Sequence, residues 1–280
     1  MPNLSVVIPV SGKLDMTHTC IDTLLEHNEG QEPIELIIID NKSETAFKRD
    51  DVIVIRNEEN VGFWGALLQG IRQSTANIVL TMHNDVFVYD HTYQERILHA
   101  FASDSKLAIA GFFGARGVTS IGTRIRPESN MQGRKYGTHG SLHGAYLETS
   151  SPSAVFDSYS MMFDKEKLLT IAYEDIPEYH WTDRVITLRL LAAGYHAVTL
   201  GIAHDHGGGQ TALRTDSSGT TKMERLAEAL CTKQNLEKSQ DSWDRTYYEW
   251  GANQFLREFL ALTNQCHTMG VTDSYVLFKQ

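Results

Sequence analysis

The residues able to do chemistry stand at four points along the chain: Asp40, Asp85, Asp183 and the pair His204 and His206. Carboxylates combined with imidazole suit a divalent metal such as Mn2+ or Mg2+. An ion so held can bridge the phosphates of a nucleotide and neutralise a departing diphosphate. Each residue alone has a plainer reading. An aspartate at a strand end often serves as a turn or helix cap, and a lone histidine is usually structural. The signal lies in their joint placement, and that depends on the elements around them.

Those elements alternate. Leu4–Val10, Ile34–Ile39, Val52–Ile55 and Ile78–Met82 are short, β-branched apolar runs that read as buried strands, and Leu107–Phe113 continues the series. Between them, Asp15 can cap a helix carrying Cys20, Ile21, Leu24 and Leu25 on one apolar face, and Gly65–Arg72 and Thr92–Ala102 also read as helical. This alternation predicts an α/β fold with a mainly parallel central sheet flanked by helices. Ligands of such sheets bind beyond the carboxyl ends of the strands, where Asp40 and Asp85 both stand. From about Gly114 to Ser153 the pattern gives way to Gly, Ser, Thr and Arg, as in a long binding loop. Order resumes with a strand at Ala154–Phe163 and a short helix near Lys165–Ile171. A strongly amphipathic helix then opens at Thr182 and closes at Gly194, and a strand at His196–Ala203 runs into His204-Asp205-His206. The remainder reads as a helical tail. The expected division is a domain over 1–215, with halves 1–113 and 114–215, and a C-terminal helical extension over 216–280.

Bulk properties narrow the classes. The 280 residues carry a formal net charge of −10, which disfavours general binding of nucleic acid through the overall field. Cys20, Cys231 and Cys266 are scattered and form no CxxC pair, so neither a disulfide framework nor a zinc site is expected. No run reaches the roughly 18 apolar residues that would span a bilayer, and the first residues lack the pattern of a signal peptide. The expectation is a cytoplasmic protein.

With these residues in view, the chain from Leu4 to Thr211 resembles glycosyltransferase family 2, a family of GT-A fold. SVVIPV is similar to that family's first strand, which meets the nucleotide at Pro9 and Val10. IIIDNKS is similar to its second, which implies contact from Asp40 to the base or ribose. NEENVGFWGALLQGI places Asn60, Gly62, Phe63 and Gly65 at the positions of an Asn-x-Gly-aromatic stretch that approaches the nucleotide. LTMHNDVFV resembles the metal-binding Asp-x-Asp strand end. There Asn84 and Asp85 keep their places, while His83 replaces an acidic residue and either faces the diphosphate or packs. YEDIPEYHWTDRVITLRLLAAGY places Tyr173, Glu174, Asp175, Asp183, Arg189, Gly194 and Tyr195 at matching intervals. In the family, the aspartate placed like Asp183 is the general base. Thr182 and Val185 depart from acidic residues common there. The His-x-His-Gly-Gly-Gly run supplies a histidine that is often a metal ligand, with His204 and His206 both open to the role.

The resemblance implies an inverting transfer of a sugar from a nucleotide-sugar donor, UDP being the commonest nucleotide among relatives, to an acceptor hydroxyl. A divalent cofactor, Mn2+ or Mg2+, would sit on the diphosphate. Phe63, Trp64, Tyr159 and Trp181 are aromatic residues of the kind that stack on sugars. Glu174, Asp175, Tyr159 and Trp181 would face the acceptor. Arg116, Arg124, Arg126, Arg134 and Lys135 give the middle loop a basic character with only Glu128 against it. That loop reads either as a solvated surface or as a clamp on the diphosphate or an anionic acceptor. The acceptor classes are a glycan, a lipid-linked glycan or a small molecule, with DNA carrying modified bases as a further candidate. Two other functions compete. A nucleotidyltransferase of similar fold would show a Gly-rich basic loop after the first strand, where Val10-Ser11-Gly12-Lys13 offers little. A nucleotide-sugar-binding protein without activity would fit His83 and Thr182, but not the retained Asp85 and Asp183.

Overall fold

A computed structural model describes residues 2–119, 130–133, 145–171, 173–174, 176, 181–207, 259–260, 262, 270–272 and 275–277. The first part of the chain runs β1 (Leu4–Val10), α1 (Leu14–Glu26), β2 (Glu35–Asp40), β3 (Ile53–Arg56), α2 (Phe63–Gln73), β4 (Ile78–Met82), β5 (Val86–Val88), α3 (Tyr93–Ser103) and β6 (Leu107–Gly111). Six short strands follow: β7 (Phe113–Ala115), β8 (Gly117–Thr119), β9 (Asn130–Gly133), β10 (Ala145–Leu147), β11 (Ser150–Pro152) and β12 (Val155–Phe156). The chain continues through β13 (Ser160–Asp164), α4 (Lys165–Leu168), α5 (Thr182–Ala192), β14 (His196–Leu200) and β15 (His204–His206), with β16 (Gly270–Thr272) and β17 (Tyr275–Leu277) beyond.

The central sheet has the order β11-β14-β6-β13-β4-β1-β2-β3. Its pairs are parallel except those made by β13 and β11, as expected of an α/β fold with crossover helices. Alternation along the strands sorts the side chains into two layers. Val7, Ile37 and Ile39 face one side and pack with Trp64, Leu67 and Ile71 of α2 and with Val185 and Leu188 of α5. Val6, Ile8 and Ile38 face the other and pack with Cys20, Ile21 and Leu24 of α1 and Ile97 of α3. Each such buried aliphatic side chain contributes about 1.5–3 kcal/mol. The approach of α2 to β1 is close enough that a Cβ on Gly70 would lie 2.3 Å from Val7 Cγ1.

Four local expectations change. The stretch from 114 to 153 is not one loop: β7 to β11 lie in it, each too short for periodicity to reveal. The run Ala154–Phe163 is not one strand. It breaks after β12, which pairs with β7, and resumes at β13 in the central sheet. The turn between them carries Tyr159. Helix α5 is buried on nearly every face rather than amphipathic, because it lies between the sheet and further chain. Of the extension expected to be helical, residues 259–260 and 262 are helical, but β16 and β17 form a hairpin that pairs with β8. A free strand edge is satisfied by such pairing.

Candidate functional site

Two registers assemble the site at the carboxyl ends of the strands. Met82, the last residue of β4, pairs with Ser160, so the next backbone N–H, that of His83, donates to Tyr159 O at 2.9 Å. After Asp85 the chain enters β5, which pairs antiparallel with β15 and sets His206 opposite Val86. The Gly207 N–H then donates to Asp85 O at 2.8 Å, and a Cβ on Gly207 would lie only 3.3 Å from Asp85 Cβ. Residues more than a hundred positions apart thus meet. His206 Nε2 lies 3.3 Å from Asp85 Oδ1, and His83 Nδ1 lies 3.9 Å from the same oxygen. One ligand atom from each of His83, Asp85 and His206 falls within 4.8 Å of the others.

This cluster fits a divalent metal. Asp85 Oδ1 and His206 Nε2 are buried, and neither meets a hydrogen-bond partner of good geometry among the described residues. A buried polar atom left so costs about 1–3 kcal/mol, which an ion shared between them would remove. Ligands about 2.1 Å from a common ion stand roughly 3.0–3.4 Å apart when adjacent in its coordination sphere, and the Asp85–His206 separation matches. Burial alone would raise the Asp85 pKa, but His206 and then His83 hold it below the usual carboxylate range. Burial, followed by the neighbouring His206, lowers the pKa of His83. Both shifts favour the deprotonated forms that ligate metals. Beneath the cluster, the buried Cys20 thiol donates to His83 O at 3.8 Å, and burial followed by the Asp85 charge pushes its pKa well up. Cys20 therefore packs as a neutral thiol.

The two candidate histidines of β15 are placed differently. His204 is buried, with Nδ1 2.8 Å from Ile202 O and Nε2 2.8 Å from the Tyr159 hydroxyl. The carbonyl can only accept, so Nδ1 carries the proton and Nε2 accepts from Tyr159. Both nitrogens of His204 are thereby engaged, while His206 Nε2 faces Asp85. Tyr159, expected at the acceptor, is buried against both histidines.

The wall beside β1 and β2 is built by loops tied to each other. Val10 pairs with Asp40 at the strand ends, and Pro9 precedes it half-buried. Asp40 does not present the open carboxylate that contact with a base or ribose would need. Its side chain is fully buried. Oδ1 accepts from Ser43 N at 2.9 Å, and Oδ2 from Phe47 N at 3.0 Å and from Arg56. The cause is Arg56 at the end of β3, which reaches across and also donates to Ser43 O. Asp40 thus braces the loop after β2. Its neighbour Asn41, not anticipated, is the hub of the next loop: Oδ1 accepts from Val61 N at 2.9 Å, and Nδ2 donates to Asn60 Oδ1 at 2.8 Å and to Gly62 O at 2.9 Å. The only sequence sign of this was a polar residue directly after an apolar strand. Gly62 has φ 82°, which suits glycine, and starts α2. Phe63 turns an edge to His83 with centroids 5.2 Å apart, and Gly65 is half-buried in the same first turn. Trp64 belongs to the core instead. It is 2% exposed, and its Nε1 donates to Tyr173 O. Helical geometry turns neighbouring residues about a hundred degrees apart, so Phe63 and Trp64 cannot share a face. Asn84 Nδ2 donates to Thr17 Oγ1 at 2.9 Å and Gly12 O at 3.3 Å, joining the metal-side turn to the loop after β1.

Asp183 is buried in the first turn of α5, where Oδ1 accepts from Arg184 N at 2.9 Å. Trp181 is buried just before it, with the Arg184 guanidinium 4.9 Å from its ring centre. Glu174 is exposed and pairs with Arg72 at 2.6 Å. Asp175, Arg124 and Arg126 lie outside the described residues. Of the basic loop, Arg116 is described, and its Nε and Nη2 both donate to Ser151 Oγ.

A family model described as glycosyl transferase family 2 matches residues 5–162, more than half of the chain. No curated protein matches by sequence. Several solved structures share the architecture. The mannosyltransferase PcManGT from Pyrobaculum calidifontis, in complex with GDP-Man and Mn2+, has a TM-score of 0.51 at 13% identity over 93% of this chain and 72% of its own. GalNAc-T7 with UDP, GalNAc and Mn2+ has a TM-score of 0.52 at 12% identity, over 92% of this chain and 56% of its own. S. aureus TarS 1-349 has a TM-score of 0.50 at 10% identity, over 93% and 72%. At such identities the likeness is one of fold. No helix among the described residues is long and apolar enough to cross a membrane.

Proposed function

Because the chain belongs to glycosyl transferase family 2, we propose that it transfers a sugar from a nucleoside-diphosphate donor, UDP-linked in the first instance, to an acceptor hydroxyl with inversion at the anomeric carbon. The observation that carries this reading is the meeting of His83, Asp85 and His206 at the ends of the parallel strands, with buried ligand atoms that meet no hydrogen-bond partner among the described residues. A divalent ion held there, Mn2+ or Mg2+, would offset the charge of the diphosphate leaving group. The loops braced by Asp40 and Asn41, together with Asn84 and Phe63, form the wall that receives the nucleotide.

Asp183 is the proposed general base. An acceptor hydroxyl is a poor nucleophile until its proton is taken, and a positioned carboxylate contributes about 10²–10⁴ in rate by taking it. The N-terminal turn of α5 favours the ionised carboxylate, which is the form that can accept a proton. One displacement, with no covalent intermediate on the protein, inverts the configuration. The acceptor side is proposed to involve Trp181 and the segment from Glu174, with Arg124 and Arg126 drawing an anionic acceptor.

Release of nucleoside diphosphate from UDP-sugars and GDP-mannose, measured with Mn2+ and with Mg2+, tests the reading. Turnover with at least one donor is expected, falling to background in Asp85→Ala. Absence of release from every donor, together with no nucleotide-induced rise in melting temperature, would overturn it.

A further inference from the structure

We propose that Arg184 is an anion-recognition residue of the acceptor site, and that the acceptor carries a carboxylate or phosphate close to its reacting hydroxyl. This rests on the reading of Asp183 as the general base. It adds the chemical class of the group beside that hydroxyl and the residue that selects it.

Topology places Arg184. Strand β13 is antiparallel to both β4 and β6, and β14 is parallel to β6, so β4, β6 and β14 all point the same way. Helix α5 is joined to the start of β14 by Ala193, Gly194 and Tyr195 alone, and it packs on that strand. It therefore turns back along β14, and its first turn stands at the carboxyl edge that also holds His83 and Asp85. The helix packs on β12 as well, the strand before the turn that carries Tyr159. Asp183 and Arg184 are consecutive, with Cα atoms about 3.8 Å apart. An anion held by Arg184 would then lie within one ring or so of the hydroxyl served by Asp183.

The charge of Arg184 is unmatched. The residue is half-buried, and its Nε is buried without a hydrogen-bond partner. Among the described residues no carboxylate pairs with its guanidinium. Arg56, Arg72 and Arg96, by contrast, meet Asp40, Glu174 and Asp90. The backbone N–H of Arg184 donates to Asp183 Oδ1, so the main chain rather than the guanidinium steadies the base. Position adds to the cost. A cation in the first turn of a helix works against the helix dipole, which favours a negative group there. A polar group buried without a partner is a feature that folds avoid. Trp181 beneath it is 5% exposed, and an apolar side chain would cover it without these costs. A bound anion removes all of them together.

The contact with Trp181 also suits the role. The guanidinium carbon lies 4.9 Å from the ring centre, within the range of a cation–π contact. The ring limits the freedom of the guanidinium, so less entropy is lost when a ligand arrives. The planar fork of Arg pairs bidentately with carboxylate and phosphate, a match that a neutral hydroxyl does not offer.

Two probe pairs, differing in the anionic group, test this on the full chain: methyl glucuronide against methyl glucoside, and glycerol 3-phosphate against glycerol. Affinities are read by ligand-observed nuclear magnetic resonance, once with UDP and Mn2+ filling the donor site and once without them. Wild type should bind at least one anionic probe about tenfold more tightly than its neutral twin, as a charge-assisted bidentate pair implies. The pair that shows the preference tells carboxylate from phosphate. Arg184→Gln should abolish the preference, and Arg184→Lys, which keeps the charge but not the fork, should restore only part of it. Arg124→Ala combined with Arg126→Ala should leave the preference in place. No preference in wild type, or an undiminished one in Arg184→Gln, would overturn the proposal; a lowered melting temperature in that variant with the preference intact would mean that Arg184 only packs on Trp181. Loss of the preference in the Arg124 and Arg126 variant but not in Arg184→Gln would likewise overturn it. Failure of wild type to bind UDP with Mn2+ would count against the glycosyltransferase reading instead, and the nucleotide-free series would still decide the role of Arg184. Circular dichroism melts confirm that each variant is folded.

Discussion

Tyr159 lies nearly flat against His206, with ring centroids 4.2 Å apart and 24° between the planes. Its hydroxyl at the same time reaches His204 Nε2 at 2.8 Å. One side chain therefore couples the two histidines of β15 and holds His206 facing Asp85. Tyr159→Phe should keep the stack but leave His204 Nε2 without that hydroxyl, costing about 1–3 kcal/mol, with Mn2+ affinity changed less than tenfold. Tyr159→Ala removes the stack as well and should weaken Mn2+ by about 10–100-fold. Urea unfolding and metal titration check the pair. Wild-type metal affinity in Tyr159→Ala would show that the stack positions nothing.

Asp40 makes a pH-dependent contribution to stability. Burial raises its pKa, but hydrogen bonds from Ser43, the Phe47 N–H and Arg56 outweigh this and hold it below the ordinary carboxylate value. A carboxylate with a depressed folded pKa stabilises the protein above the unfolded-state pKa, and that stabilisation is lost as pH falls toward the folded value. Asp40→Asn should be less stable by about 1.5–3 kcal/mol at pH 7. The gap to wild type should shrink as pH drops below about 4. Urea midpoints measured across that range provide the check, and a gap of equal size at both ends would remove the argument. Donor KM should rise only through loosening of the loop from 41 to 47.

Asp183→Asn preserves size and helix-terminal placement but cannot accept a proton. We expect kcat to fall by about 10²–10⁴, with melting temperature, Mn2+ binding and donor binding near wild type. Single-turnover rates decide the matter. If Asp183 served only the helix terminus, Asn would serve as well, and near-normal chemistry would follow.

Arg124 and Arg126 are proposed to meet an anionic acceptor. Acceptor binding should then weaken steeply with salt. Arg124→Ala combined with Arg126→Ala should reduce affinity at low salt and flatten that dependence, leaving donor hydrolysis in the absence of acceptor unchanged. Duplex DNA, an acidic glycan and a neutral glycan compared as acceptors separate the classes. Indifference of every acceptor to salt would dispose of the idea.

The strands and helices of the nucleotide half were legible because their signals are local. An uninterrupted run such as IELIII can be buried only inside a two-sided sheet, and the residue that ends it, Asp40, must then stand at a carboxyl end. The same logic marked Asp85, and the family's spacing marked Asp183. What the local pattern cannot hold is the partner each polar group acquires. Asp40 proved to be claimed by Arg56, because β2 and β3 pair in a register that sets those two residues side by side. Trp64 and Phe63 are adjacent in sequence, yet packing sends one into the core and the other to His83. The choice between His204 and His206 was open in the sequence, since both lie on one face of a three-residue strand. It depended on the turn between β12 and β13, which brings Tyr159 to His204, and on the pairing of β15 with β5, which brings His206 to Asp85. Residue types and intervals along the chain determined that carboxylates and imidazoles would gather at the sheet's carboxyl edge. Strand register, a property of pairing between distant segments, decided which of their atoms face one another.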